Sequence, residues 1–115
     1  MLVFSISMSA QSARFYPTHQ DVDGTEGPTE DHNDFYVEVN GNECNTWIVV
    51  DGQYTFPRTF KRIPSDDDKH VFRWVNPSTG TVECIFINND FSGMYNTKVY
   101  GYNVGYIIRY YKRRQ

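Results

Sequence analysis

Between residues 35 and 40, apolar Phe35, Val37 and Val39 alternate with Tyr36, Glu38 and Asn40, the period of two that a strand with one buried face requires. Asn40-Gly41 then reads as a turn. Residues 46–50 and 53–56 are β-prone and flank Asp51-Gly52, a pair suited to the positive φ angles of a type I′ hairpin. Pro57 ends or bends the second of these strands. Residues 60–63 predict a short further strand, closed by Pro64 and the acidic run Asp66-Asp67-Asp68. A second hairpin is predicted from residues 70–75 and 81–87 around the turn at 76–80; Val82, Cys84 and Phe86 share one face of it, which is expected to place Cys84 inward. After a turn-rich segment at 88–96, the last strand is expected over 98–111. Its even positions Tyr100, Tyr102, Val104, Tyr106, Ile108 and Tyr110 form one face, with Gly101 and Gly105 opposite.

No helical period of ten or more residues occurs. Residues 17–34 are polar and acidic, hold Gly24, Gly27 and Pro28, and read as a long loop. The fold expected is therefore all-β: a single antiparallel β-sandwich, or small barrel, of six to eight short strands over residues 35–115, preceded by an acidic N-terminal arm over residues 1–34.

Composition adds a location. Aromatics make up 17% of the 115 residues, and nine of them are Tyr. Five of those nine fall between Tyr100 and Tyr111. The net charge of −3 argues against a general nucleic-acid binder, but it hides a division. Residues 1–57 carry one cation, Arg14, against nine carboxylates, and residues 58–115 carry ten cations against five. The halves either attract each other within one fold or serve different partners.

Cys44 and Cys84 are too few for a disulfide scaffold. They form either one possible disulfide, closing a loop worth about 4 kcal/mol, or two packed thiols. Residues 1–10 make no convincing signal peptide, lacking an early cation; the compartment stays open, with secreted, extracellular and virion-surface settings all compatible.

Nothing local supplies catalysis. His19, His32 and His70 are scattered, and no nucleophile elbow, zinc-helix or phosphate-loop motif occurs. Asp21-Val22-Asp23-Gly24 is similar to the start of a calcium loop, but its twelfth position is His32 where a bidentate Glu is required. The expectation is a protein that is not an enzyme, with no cofactor and no metal. The carboxyl end is different in kind: Arg109, Lys112, Arg113 and Arg114 interleave with Tyr110 and Tyr111, a mixture suited to lipid headgroups.

Residues 81–100, T-V-E-C-I-F-I-N-N-D-F-S-G-M-Y-N-T-K-V-Y, resemble the membrane-binding heart of the actinoporins and the related aegerolysin-like β-sandwiches. Phe86 and Ile87 match the strand end, Asn89-Asp90-Phe91 the signature turn, and Gly93, Tyr95 and Asn96 the segment after it. Asp90 stands where the family commonly has Pro, and no tryptophan-rich cluster follows. The resemblance implies lipid contact rather than pore formation. The expected function is a non-enzymatic binding module that engages a membrane lipid or glycan headgroup through Phe91, Tyr95, Tyr100, Tyr102, Arg109, Lys112, Arg113 and Arg114. The alternative is a structural subunit that self-associates into a homo-oligomer through its aromatic face and acidic arm.

Overall fold

The computed structural model describes residues 11–65, 68–101 and 104–115. Among the described residues nine strands follow one another: β1 Gln11–Val22, β2 Thr25–Gly27, β3 Asp34–Asn40, β4 Glu43–Val50, β5 Gln53–Arg62, β6 Lys69–Val75, β7 Val82–Asn88, β8 Gly93–Val99 and β9 Tyr106–Arg113. All pairings are antiparallel, and β3 to β9 form a meander in sequence order. β1 pairs with both β3 and β9, so eight strands close into a barrel, while the short β2 adds to the end of β1. The small-barrel form of the expectation is therefore the one realised.

Closure depends on residues read from sequence as an arm. Gln11 to Phe15 pair with β3, and Phe15 to Val22 pair with β9. The register shifts between Pro17 and His19, where proline has no N–H to give the ladder. Residues 11–27 are thus part of the barrel, which corrects the boundary expected at residue 34. The polar look of this stretch reflects a strand in which, beyond Phe15, Gln20 alone is buried.

Cross-strand partners share a face, so the register identifies the interior. One inward row runs Phe15, Phe35 and Ile48; another runs Val39, Cys44 and Phe60; a third runs Phe72, Ile85, Asn96 and Arg109. Phe15, Phe60, Phe72, Ile85 and Ile87 have no exposed surface, and each contributes about 1.5–3 kcal/mol by burial. At the end of the barrel where β5 finishes and β6 begins, Arg62 acts as a plug. Its Nε and Nη2 donate to the Gly41 carbonyl at 3.1 and 2.9 Å, and its guanidinium lies 4.6 Å from the Phe72 ring centroid. Nη1 is 3.1 Å from His70 Nδ1; a guanidinium only donates, so Nδ1 accepts and the imidazole is neutral. Burial, aided by the Arg62 charge, lowers the His70 pKa. The buried Phe91 ring packs 5.7 Å from His70 and completes the seal.

The cysteines are both free. Cys44 is inward and buried, whereas Cys84 pairs in register with Arg73 and Thr97 on the outer face and is half-exposed. The inward residues of β7 are Glu83, Ile85 and Ile87, so the expected inward Cys84 is corrected, and with it the possible Cys44–Cys84 disulfide. The strand expected over 98–111 is also interrupted: β8 ends at Val99, Tyr100 N–H donates to the Gly105 carbonyl at 3.0 Å, and β9 starts at Tyr106.

Candidate ligand site at the open end of the barrel

Among the described residues, nothing plugs the opposite end. A closed eight-stranded barrel is just wide enough for side chains or one small ligand, and here the interior side chains stop short of filling it. A cavity of about 320 Å³ remains, with Phe35, Ile48 and Tyr111 as apolar surfaces and Arg58, Glu83, Asn96, Lys98, Arg109 and Asp31 as polar ones. Strands β3, β4, β5, β7, β8 and β9 supply the lining from their inward positions. Arg58 is opposite inward Thr46, Glu83 opposite Trp74 and Lys98, and Arg109 opposite Asn96.

A bulge shapes one lip. Thr46 pairs with Arg58 but Ile48 with Thr55, so Phe56 and Pro57 both stand across from Trp47. Phe56 takes φ 52, a left-handed conformation unusual for an aromatic residue, and its side chain projects with 70% of its surface exposed. Sequence reasoning expected Pro57 to end or bend a strand; it bends β5, which then continues to Arg62.

The cavity holds three cations and two carboxylates. Arg58 is ion-paired to the buried Glu83 and stacks 5.0 Å from the Trp74 ring. Arg109 Nη1 stands 3.7 Å from Asp31 Oδ2, beyond hydrogen-bonding distance, and Arg109 Nε is buried with no hydrogen-bond partner among the described residues. Inward Thr46 Oγ1 is likewise buried and unpartnered. A buried donor left unmade costs about 1–3 kcal/mol, which a ligand acceptor would recover. Lys98 Nζ has no carboxylate within 4.0 Å among the described residues and lies 5.2 Å from the Tyr100 ring centroid. Burial pushes the Tyr111 phenol up to about 12 against the pull of Arg109, so it stays protonated at neutral pH. Among the described residues, no group of three or more His, Cys, Asp or Glu side chains is placed to hold a metal ion.

Exposed apolar side chains gather at the same end of the barrel. Val22, Tyr54, Phe56, Val75, Val99, Tyr100, Val104 and Tyr106 are the exposed large hydrophobics among the described residues. Phe56 lines the cavity itself, Val99, Val104 and Tyr106 line a separate hollow with Asp23 at the same end of the barrel, and Val75, Val82, Val99 and Tyr106 are cross-strand partners in one outward row.

The residues expected from sequence to form the site are dispersed. Arg109 lines the cavity and Tyr100 is exposed at the same end of the barrel. Tyr102 lies outside the described residues. Phe91, expected to meet lipid, is 4% exposed and belongs to the core. Tyr95 is half-buried on the outer wall, in a cross-strand row of Phe86, Tyr95, Tyr110 and His19 with centroid separations of 4.5, 5.9 and 4.4 Å. Lys112 and Arg113 are exposed at the end of β9 farthest from Tyr106, and Arg114 is held by Asp34. Arg58, Glu83, Lys98 and Asp31 were missed. Had Ile85 and Ile87 been taken as the buried pair of β7, Glu83 would have followed by parity.

Comparison with family models, with curated proteins and with solved structures returns no match.

Proposed function

We propose that this chain is a binding module that takes an anionic headgroup into the open end of its barrel while the exposed apolar side chains at that end rest on the lipid surface. The observation that carries this reading is the coincidence of two features at one end of the barrel: Arg58, Lys98 and Arg109 line a cavity with exposed Phe56 on its lip, and exposed Val75, Val99, Val104 and Tyr106 stand at the same end. Cations set beneath an apolar lip match a lipid, whose charge and hydrocarbon are adjacent. Each Lys or Arg near an anionic surface contributes about 1 kcal/mol, and burying the Phe56 ring adds about 2 kcal/mol. The opposite charges of the two halves of the chain are already matched within it, through Asp34 with Arg114, Asp31 with Arg109 and Glu43 with Lys61, which leaves less for the self-association reading to use.

Vesicle flotation tests this. Wild type is expected to float with phosphatidylglycerol vesicles and to stay behind with phosphatidylcholine. Phe56→Ser with Val104→Ser is expected to weaken the interaction at least tenfold with Tm unchanged, since both side chains are 70% exposed. Equal binding to both vesicle types, or to neither, rejects the reading.

A further inference from the structure

The cavity does not simply accumulate positive charge, and its two carboxylates differ in kind. Glu83 is only 6% exposed at its side chain and is ion-paired to Arg58, so it belongs to the wall. Asp31 stands on the loop between β2 and β3 and is positioned from behind. Its Oδ1 accepts from Asn33 N–H at 3.0 Å, Thr29 Oγ1 donates to its carbonyl at 3.0 Å, and the buried Gln20 side chain accepts from Glu30 N–H at 3.4 Å. That leaves Oδ2 facing Arg109 Nη1 at 3.7 Å. At this separation Asp31 offsets a charge without consuming the guanidinium's hydrogen bonds. Three cations and two fixed carboxylates leave one net positive charge, with the buried Nε of Arg109 as an unfilled donor.

We infer that the open-end cavity selects a singly charged head, a carboxylate or a phosphodiester, over a doubly charged phosphate monoester, and that Asp31 is the residue that sets this choice. The inference rests on the headgroup reading above. A monoanion balances the cavity. A dianion brings a second charge against Asp31, a repulsion that at a few ångströms and partial solvent exposure amounts to about tenfold in affinity. Asp31→Asn removes the charge and keeps an oxygen to cap the Asn33 amide, so the loop retains its turn.

The test uses the full chain at pH 8.5, where an alkyl phosphate carries close to two charges. Calorimetric titrations with decanoate, decyl phosphate and uncharged decyl maltoside report the free amphiphile; vesicles containing phosphatidylglycerol or phosphatidic acid report the same headgroup chemistry at a membrane. Wild type is expected to prefer decanoate and phosphatidylglycerol. Asp31→Asn is expected to tighten decyl phosphate and phosphatidic acid by about tenfold, with a smaller gain for the monoanions. A dianion-to-monoanion ratio unchanged by Asp31→Asn, or a wild type that already prefers the dianion, overturns the role of Asp31 while leaving the anion site standing. Failure of every anion to bind, with circular dichroism showing a folded chain, overturns the headgroup reading itself. Preference for vesicles over free amphiphile, or the reverse, identifies the source of the monoanion.

Discussion

Asp34 holds two guanidinium groups on one carboxylate whose side chain is 6% exposed. Arg14 and Arg114 both reach it, and the Arg114 guanidinium also stacks 5.0 Å from Tyr16. These contacts join the start of β3 to β1 and to the end of the chain, across the seam where the barrel closes. Burial alone raises the carboxyl's pKa, but hydrogen bonds and charge from Arg114 and Arg14 outweigh it and hold the group below 3.8. A folded-state pKa below the unfolded one contributes stability that is complete above the unfolded value and disappears as pH falls through the folded value. Asp34→Asn is therefore expected to cost about 1–2 kcal/mol at pH 7, discounted because the arginines are 43% and 50% exposed, with the difference from wild type shrinking as acid protonates the carboxylate. Urea unfolding at pH 7, 4 and 2.5 measures it, and a difference that stays constant with pH would exclude this origin. Nothing in the sequence pairs residues 80 positions apart. The charge division between the halves was legible, but its meaning as an internal clamp was not.

Among the elements, hairpins governed by local chemistry were readable and those governed by distant partners were not. Asp51 and Gly52 adopt φ 50 and 76, the double positive pair that the sequence demands. β6 and β7 fall within one residue or two of their expected limits. The last strand was misread because Tyr100 to Tyr110 keep an unbroken alternation through a turn. What breaks it is a contact with another element: the Asp23 carboxylate accepts from Tyr106 N–H at 2.8 Å, and Asp23 N–H donates to the Tyr106 carbonyl at 3.1 Å. That contact leaves no space at Gly105, where an added Cβ would stand 2.7 Å from Asp23 Oδ1 at φ 129. Gly105→Ala is expected to destabilise by about 2–3 kcal/mol and to loosen both turns. Gly80→Ala, at φ 73 with open space around it, is the control and should cost about 1 kcal/mol. Thermal unfolding compares them, and equal losses would remove the Asp23 contact from the explanation.

At the scale of the whole molecule, the barrel is closed but its seams are unequal. β6 and β7 pair at seven register positions, whereas among the described residues β5 and β6 pair at two, Lys61 with Arg73 and Arg62 with Phe72. Toward the open end these two strands diverge, and side chains replace the ladder. Arg58 reaches from β5 past the Trp74 ring to Glu83 on β7, and the Phe60 and Trp74 rings lie 6.3 Å apart. The residue that supplies a cation to the cavity therefore also bridges the weakest part of its wall, and a molecule entering the cavity competes for the same group. Backbone amides facing this gap lack interstrand partners and are expected to exchange by local opening, on the order of 100-fold faster than those between β7 and β8. Arg58→Ala should speed exchange at Phe60, Trp74 and Val75 further while leaving Ile85 and Asn96 unchanged, because the β7–β8 ladder does not depend on the bridge. Hydrogen exchange read residue by residue decides this. Uniform protection across both seams would mean that the barrel opens only as a unit and that the cavity is reached solely through its rim.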